Sequence, residues 1–306
     1  MAKPGSKSRW SKVDYTMYLM IVPAFVIVLI YNYIPLFGWA IAFQRYNLAL
    51  GIFGSEWVGL HNFRMLFANP AFSRVIYNTV YIAVLKIIFN FITPILVAIL
   101  LNEMRKELYK KTMQTFLYLP NFISWVVLSG LFISILHPNP AEGVVNQILG
   151  WVGIGPINFL GDASIFPYTM VWTDVWRSFG FGTIIYMAAL TTVDPNLYEA
   201  AGMDGANRFR RIWHITMPTL IPIMVLVGTL SLGGILNAGF DQIVNMYNPG
   251  VFSTGDILDT FIFRRGLGDG QFALATAAGI FRSGVSLVLV SIAYYCAYKF
   301  ADYRIF

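Results

Sequence analysis

The chain has 306 residues, of which 57% are hydrophobic and 12% are charged, with a formal net charge of +6. Because a soluble domain carries roughly 25% charged residues, this composition argues against a water-soluble protein and indicates an integral membrane protein. The basic residues are spread over short loops without a stripe or tail, which argues against nucleic-acid binding. The single cysteine, Cys296, lies in an apolar run and excludes an internal disulfide framework or a cysteine-based metal site.

Residues 1–15 form a basic tail ahead of the first long apolar run. That run is long enough to cross a bilayer and contains no small-residue cleavage site, which favours a retained first span over a cleaved signal peptide. We therefore predict an N-terminal tail over residues 1–15 and a single membrane domain over residues 16–306.

Six apolar segments are each near the ~20 residues that cross the hydrocarbon core. They cover residues 16–43, 75–101, 116–136, 165–190, 219–239 and 272–299. Prolines within them are compatible with spanning helices, because neighbouring helices can satisfy the backbone groups that a proline releases. The fourth segment is the weakest, since Asp174 and Arg177 interrupt it. The sequence thus predicts an all-α integral membrane protein with six transmembrane helices.

The distribution of Lys and Arg predicts the orientation of these spans. With the N-terminus inside, thirteen of the 21 Lys and Arg residues fall in the inner segments and five in the outer loops. This asymmetry predicts a multi-pass protein whose N- and C-termini are cytoplasmic, together with the 191–218 loop.

Residues 191–218 form a polar segment between the fourth and fifth spans and predict two short helices joined by a tight reversal. Asp194 can cap the free amide groups of the first helix, and Pro195 fits its first turn. Gly205 permits a reversal that a bulky side chain would obstruct. Asn207 is placed to cap the second helix.

Pro218 is expected to end this segment, just before the fifth span. By periodicity alone, the segment also fits an amphipathic connector on the inner leaflet, with its arginines attracted to anionic membrane lipid.

The same segment carries the spacing E-A-A, three residues, Gly, nine residues, I-x-hydrophobe-Pro. In this spacing it resembles the cytoplasmic coupling loop of permeases from binding-protein-dependent ABC importers, and we call residues 191–218 the coupling loop. Met217 departs from the family's usual Leu, a mild change between flexible hydrophobes. The resemblance assigns ATPase coupling to Glu199, Ala200, Ala201, Gly202, Asp204, Gly205, Arg208, Ile215 and Pro218. It implies that the small residues keep the loop slim enough to enter a groove on the ATPase.

A second stretch, residues 56–79, looks like the segment before span two in carbohydrate-uptake permeases, with its W-V-G-L-x-N-F core and a later N-T. Residues 33–47 are similar to the branch that serves larger oligosaccharides, such as pectin-type fragments. Without the family, Trp57 and Phe63 could simply anchor an interfacial loop.

Together the resemblances imply the type I ABC importer permease fold and a transport subunit of the bacterial cell membrane, without catalytic residues. The chain has no G-x-x-x-x-G-K-[ST] phosphate loop, so it binds no cofactor itself and ATP-Mg is used by a partner ATPase. The implied partners are a second homologous permease, two cytoplasmic ABC ATPase subunits, an external solute-binding protein and an oligosaccharide substrate. Two alternatives remain: an ion-coupled secondary sugar transporter with a buried carboxylate as proton site, and a membrane enzyme acting on lipid-linked sugar.

Charged and aromatic residues inside the spans are candidates for the substrate pathway, because charges at that depth are costly and usually face a bundle interior or a wet cavity. The candidates are Lys86, Trp172, Asp174, Trp176, Arg177, Tyr186, Asn237, Asp241, Gln242 and Arg282. Asp174 and Arg177 are one helical turn apart and could instead form a structural ion pair.

Three of these candidates are cationic. If Lys86, Arg177 and Arg282 line one cavity, the substrate is acidic, such as a uronate-containing oligosaccharide. Lys86 and Arg282 could instead pair with carboxylates or extend toward the interface.

Overall fold

The computed structural model describes residues 15–104 and 106–301 of the chain. Nearly all of the predicted tail and the last five residues lie outside this part, so the predicted cytoplasmic location of both termini stays a prediction. Within it, the chain is almost entirely helical, which confirms the all-α fold class. Among the described residues, four helices are long and apolar enough to cross a membrane, or five if a sharply bent pair counts as one span, against the six spans predicted.

The helices in chain order are α1 Tyr15–Val28, α2 Gly51–Gly54, α3 His61–Ala68, α4 Pro70–Asn102, α5 Glu107–Tyr118, α6 Trp125–Ile135, α7 Val144–Trp151, α8 Phe166–Leu190, α9 Pro195–Met203, α10 Arg208–Arg211, α11 Met217–Leu232, α12 Phe240–Met246, α13 Phe252–Gly255, α14 Leu258–Phe263 and α15 Phe272–Ala301. The 3-10 turns are Ile34–Phe43, Leu119–Phe122 and Pro249–Val251, and the π turns are Leu29–Tyr33, Ile212–Thr216 and Arg264–Gly268. Two short strands, β1 Gln44–Arg45 and β2 Glu56–Trp57, pair antiparallel with Gln44 opposite Trp57.

The first, second and sixth predicted spans correspond to continuous helical stretches. The first runs over Tyr18–Phe43 through α1 and the two turns that follow it, and no residue in its most apolar window is buried within the chain. The second is α4, which extends the prediction at its start, and the sixth is α15.

The third predicted span, 116–136, is wrong as a single straight helix. α5 and α6 meet at an angle of 102° across a short break. Pro120 lies in the 3-10 turn Leu119–Phe122, where its missing N–H prevents a regular helix from continuing. The Ser124 side chain then accepts from the Val127 N–H, which starts α6 in a new direction.

The fifth predicted span, 219–239, is wrong at its inner and outer ends. The helix already runs from Arg208 to Leu232, through a π turn, so Pro218 does not separate the coupling loop from the fifth span. In the π turn the Met217 N–H donates to the Ile212 carbonyl, a wider pattern that accommodates the proline ring. Residues 233–239 are not helical, because Gly233 and Gly234 each cost a helix about 1 kcal/mol relative to Ala.

The buried core consists of three apolar clusters around α4 and α8, which pack against each other more extensively than any other pair of helices. One cluster joins α4, α6, α8 and α12 through Ile82, Leu128 and Met170. A second joins α3, α4, α14 and α15, and the third joins α4, α8 and α11. The fourth predicted span is α8, which packs centrally despite its two charges but is not among the described helices that are apolar enough to cross a membrane.

Gly180 marks the closest approach of α8 to α5, and we predict that its replacement by Ala destabilises the protein. A Cβ atom there would lie 1.9 Å from the Leu117 carbonyl oxygen. We expect Gly180→Ala to cost about 1–3 kcal/mol, measured as a lower unfolding temperature in detergent. Gly130→Ala on α6 is the control, because a Cβ there meets nothing within 4 Å. Equal melting temperatures for the two variants would refute this packing.

Candidate translocation pathway and coupling loop

An open cavity of about 930 Å³ lies between the middle of α8, the start of α6, residues 237–241 and the α14–α15 region. Its aromatic wall is formed by Trp39, Trp125, Phe240, Phe263 and Phe272. Its polar lining includes Arg177, Asn237, Asp241, Asp259, Thr276, Arg282 and Ser283. Aromatic faces beside hydrogen-bonding groups are suited to a flat, hydroxylated ligand such as a sugar.

Arg177 is held at this cavity by the bend between α5 and α6. Its Nε donates to the Ile123 carbonyl and its Nη2 to the Asn121 carbonyl, each at 3.2 Å. The guanidinium also lies 4.9 Å from the centre of the Trp125 ring. These contacts use two of the five N–H donors of the side chain and involve no described carboxylate. The remaining donors are available to an anionic group in the cavity.

Arg282 reaches the same cavity from α15, but its charge is balanced. Its Nη1 lies 2.9 Å from Asp259 Oδ1 on α14. Burial raises the pKa of the Asp259 carboxyl, and the neighbouring Arg282 opposes that shift. Arg282 therefore belongs to an ion pair in the cavity wall.

Lys86 does not line the cavity, contrary to the arrangement of three cations considered from the sequence. Its buried ammonium lies behind residues 237–241, where it donates to the Ala238 carbonyl at 2.8 Å and to Gln242 Oε1. It also lies 3.5 Å from Asp174 Oδ1. Asp174 accepts a second contact from Asn90 Nδ2 at 2.8 Å.

The alternative of an ion pair between Asp174 and Arg177 is therefore not realised in the structure. Although the two residues are one turn apart on α8, Asp174 faces α4 and its lysine, whereas Arg177 faces the bend between α5 and α6. Each charge has a better partner on a neighbouring element than on its own helix.

The remaining pathway candidates lie away from the cavity or beneath it. Trp172 packs on Phe89 and Trp176 on Phe132. Tyr186 is buried in the third apolar cluster. Gln242 is fully buried and donates to the Met170 carbonyl and to Thr173. Of the ten candidates, the cavity lining contains Arg177, Asn237, Asp241 and Arg282.

Several lining residues were missed by reasoning from the sequence. Trp39 and Trp125 are not among the ten candidates, although Trp125 directly follows the Ser124 cap that marks the break. Asp259 lies in a connection assigned to the outer loops, where no local pattern indicates that it meets Arg282.

The coupling loop has the predicted form of two helices joined at a reversal. The Asp194 side chain accepts from Asn196 N–H and that of Asn207 from Arg210 N–H, each at 2.9 Å. Gly205 supplies the reversal with a φ of +73°, a left-handed conformation that favours glycine. The Tyr198 hydroxyl and the Thr216 hydroxyl are 3.0 Å apart, which ties α9 to the base of the fifth span.

Most of the residues assigned to ATPase contact are accessible on the described chain. The exposed ones are Glu199, Ala200, Gly202, Asp204, Gly205, Arg208 and Pro218, and the half-buried ones are Ala201 and Ile215. The loop thus presents a small-residue surface around the reversal, and this surface is left accessible by the rest of the described residues.

Comparison with known proteins gives relatives along nearly the whole chain. The chain is 40% identical to Protein LplB of Bacillus subtilis, over 96% of this chain and 92% of the relative. It is 41% identical to the polygalacturonan/rhamnogalacturonan transport system permease protein YteP of the same organism, over 95% and 90%. A subunit of a bacterial ABC transporter involved in import of the acidic polysaccharide alginate superposes with a TM-score of 0.84 and 36% identity, covering 94% of this chain and 96% of that one.

Residues 91–305 also match the family described as binding-protein-dependent transport system inner membrane component. The match includes about the last third of α4, all of α8, the coupling loop and the cavity-lining residues from Trp125 onward. The protein is a multi-pass transport subunit and not an enzyme. The chain therefore belongs to the family of inner-membrane components of binding-protein-dependent transport systems, the permease subunits of ABC importers.

Proposed function

We propose that this chain forms half of the translocation pathway of an ATP-driven importer of acidic oligosaccharides. The observation that carries the acidic class is Arg177, a cavity cation that no described carboxylate neutralises. The names of the relatives support this class, since one serves polygalacturonan and rhamnogalacturonan and another serves alginate.

The chemistry of the cavity fits a uronate better than a fully neutral sugar. A guanidinium held by two backbone carbonyls is rigid and can present its free N–H groups to a carboxylate in a planar, two-pronged contact. The aromatic wall would stack on the sugar faces. The Arg282–Asp259 pair adds no net charge to the lining and Asp241 adds one negative charge, so a sugar carboxylate would be bound at Arg177.

The coupling loop would transmit the ATPase movement to this cavity along a continuous helical stretch. The helix that begins at Arg208 continues to Leu232, a length of about 37 Å for its 25 residues. Its far end leads directly into residues 233–239, next to the cavity. A displacement of the 194–218 segment is therefore carried along one rod to the pathway wall, in a two-state change of access biased by ATP and ligand.

The partners are a second homologous permease, two cytoplasmic ATPase subunits and an external binding protein that docks on the outer loops near residues 137–164 and 240–270. A related importer has been solved with a periplasmic protein carrying an alginate pentasaccharide, which supports the binding protein. The first span is not covered by the other described residues, which is consistent with contacts to the second permease and to lipid. The family relationship favours this ABC importer over an ion-coupled sugar transporter.

We predict that Arg177→Gln lowers the preference for acidic oligomers. Loss of a charged hydrogen-bond partner should reduce uptake of a galacturonate tetramer by about tenfold or more, with little change for its carboxyl-reduced counterpart. The measurement is uptake into proteoliposomes that contain the whole importer. Arg45→Gln is the control, because that arginine pairs with Glu56 on the surface and does not line the cavity. A preference of the wild-type importer for the neutral tetramer would contradict the proposal that its substrates are acidic oligosaccharides.

We also predict that Gly205→Val uncouples ATP hydrolysis from transport while sparing membrane insertion. Valine at a φ of +73° strains the reversal by about 1–2 kcal/mol and enlarges the surface offered to the ATPase. We expect the number of oligomers imported per ATP hydrolysed to fall at least about tenfold. Gly51→Val is the matched control, since Gly51 has a φ of +64° and open space around it, far along the chain from the coupling loop. Normal coupling in Gly205→Val would contradict the role of this loop.

A further inference from the structure

We propose that Lys86 is a positioning residue that fixes residues 237–241 as a wall of the cavity and so sets the fit of the sugar. This inference rests on the proposed function for the identity of the ligand, but its structural part concerns only the described residues. Asn237, Gly239, Phe240 and Asp241 line the cavity, and the ammonium of Lys86 lies behind the same segment.

The need for such a residue arises where the fifth span leaves helical geometry. Residues 233–239 cannot satisfy their backbone groups by a regular helical ladder, and Ala238 is fully buried. The Lys86 ammonium donates to the Ala238 carbonyl at 2.8 Å. It therefore supplies the donor that neither a helix nor the hydrocarbon core can provide.

The same ammonium fixes the start of α12. It donates to Gln242 Oε1, and the amide of Gln242 donates to the Met170 carbonyl at 2.8 Å and to Thr173 Oγ1 at 2.6 Å. Lys86 on α4 and Gln242 on α12 thus connect the cavity wall to both central helices.

The conformation and surroundings of Gly239 show how closely the backbone passes over Lys86. Its φ of +90° is left-handed, and a Cβ atom there would lie 2.6 Å from Lys86 Nζ. The backbone therefore crosses directly over the ammonium, with no room for a side chain between the lysine and the cavity wall.

The positioning role proposed for Lys86 can be distinguished by experiment from a role limited to pairing with Asp174. The Asp174 carboxylate is the longest of the three contacts of Lys86, at 3.5 Å, and has its own hydrogen bond from Asn90. Removing the Asp174 charge leaves the contacts to Ala238 and Gln242 in place. Replacing Lys86 by Met keeps the length of the side chain and removes all three donors.

The first test is hydrogen exchange of the complete importer in lipid nanodiscs, followed in peptides that cover residues 233–241. We expect Lys86→Met to speed exchange in this segment at least about tenfold, and Asp174→Asn to change it less than about twofold. Gln242→Leu removes one partner of the ammonium and should speed exchange in the same peptides to a smaller extent, which covers the case in which Lys86→Met does not assemble. Unchanged exchange in Lys86→Met, or in Gln242→Leu where that is the variant measured, would overturn the proposal.

The second test asks whether the fixed wall affects the sugar. The complex is trapped with vanadate in the presence of its binding protein and a labelled galacturonate tetramer, and the retained tetramer is counted. We expect Lys86→Met to retain several-fold less than Asp174→Asn. Normal retention of the tetramer by Lys86→Met, despite faster exchange, would overturn the link to the sugar. A wild-type complex that retains a neutral oligomer but no galacturonate tetramer would contradict the acidic substrate class. That second outcome would leave the exchange result standing.

Discussion

The structure depends on the rule that a backbone carbonyl inside a bilayer must find a donor within the protein. The first span contains π and 3-10 turns. Two later predicted spans are interrupted more fully, at residues 119–124 and at residues 233–239. At each place a cation from a neighbouring helix donates to the released carbonyls. Arg177 binds those of Asn121 and Ile123, and Lys86 binds that of Ala238.

These two breaks also explain why a cavity lies between the helices. A straight third span and a complete fifth span would bring packed side chains together at this level. Instead, the chain turns by 102° after α5 and unwinds after Leu232, and both interruptions border the aromatic-lined space. The cations that make the breaks possible therefore also set the charge and shape of the pathway. Arg177 keeps free donors toward the cavity, whereas Lys86 uses its donors within the protein.

Much of the fold follows from the sequence because its signals are local. Apolar length is sufficient to locate α4 and α15, and the Asp194 and Asn207 caps with Gly205 are sufficient to predict the shape of the coupling loop. The two helix breaks are harder to predict from the sequence. Pro120 and the Gly233–Gly234 pair were visible, but prolines elsewhere, such as Pro94 in α4, lie within continuous helix. Whether a proline or glycine interrupts a span depends on tertiary donors that sequence spacing does not show.

The pathway residues illustrate the same limit. Helical periodicity correctly places Asp174 and Arg177 one turn apart on the same helix. Their partners, however, come from α4 and from the bend between α5 and α6. Likewise, Asp259 neutralises Arg282 from a connection between spans. Such pairings set the chemistry of a membrane cavity. A charged side chain that is paired within the wall is neutralised there, whereas an unpaired one can bind a charged ligand.

The most direct measurement is an electron cryo-microscopy structure of the assembled importer, held before ATP hydrolysis with a uronate oligomer inside. The account predicts sugar density against the aromatic wall, with a carboxylate within hydrogen-bonding distance of Arg177 and the Lys86 ammonium still bound to the Ala238 carbonyl. Sugar density at another place in the assembly, with Arg177 facing an empty cavity, would contradict it.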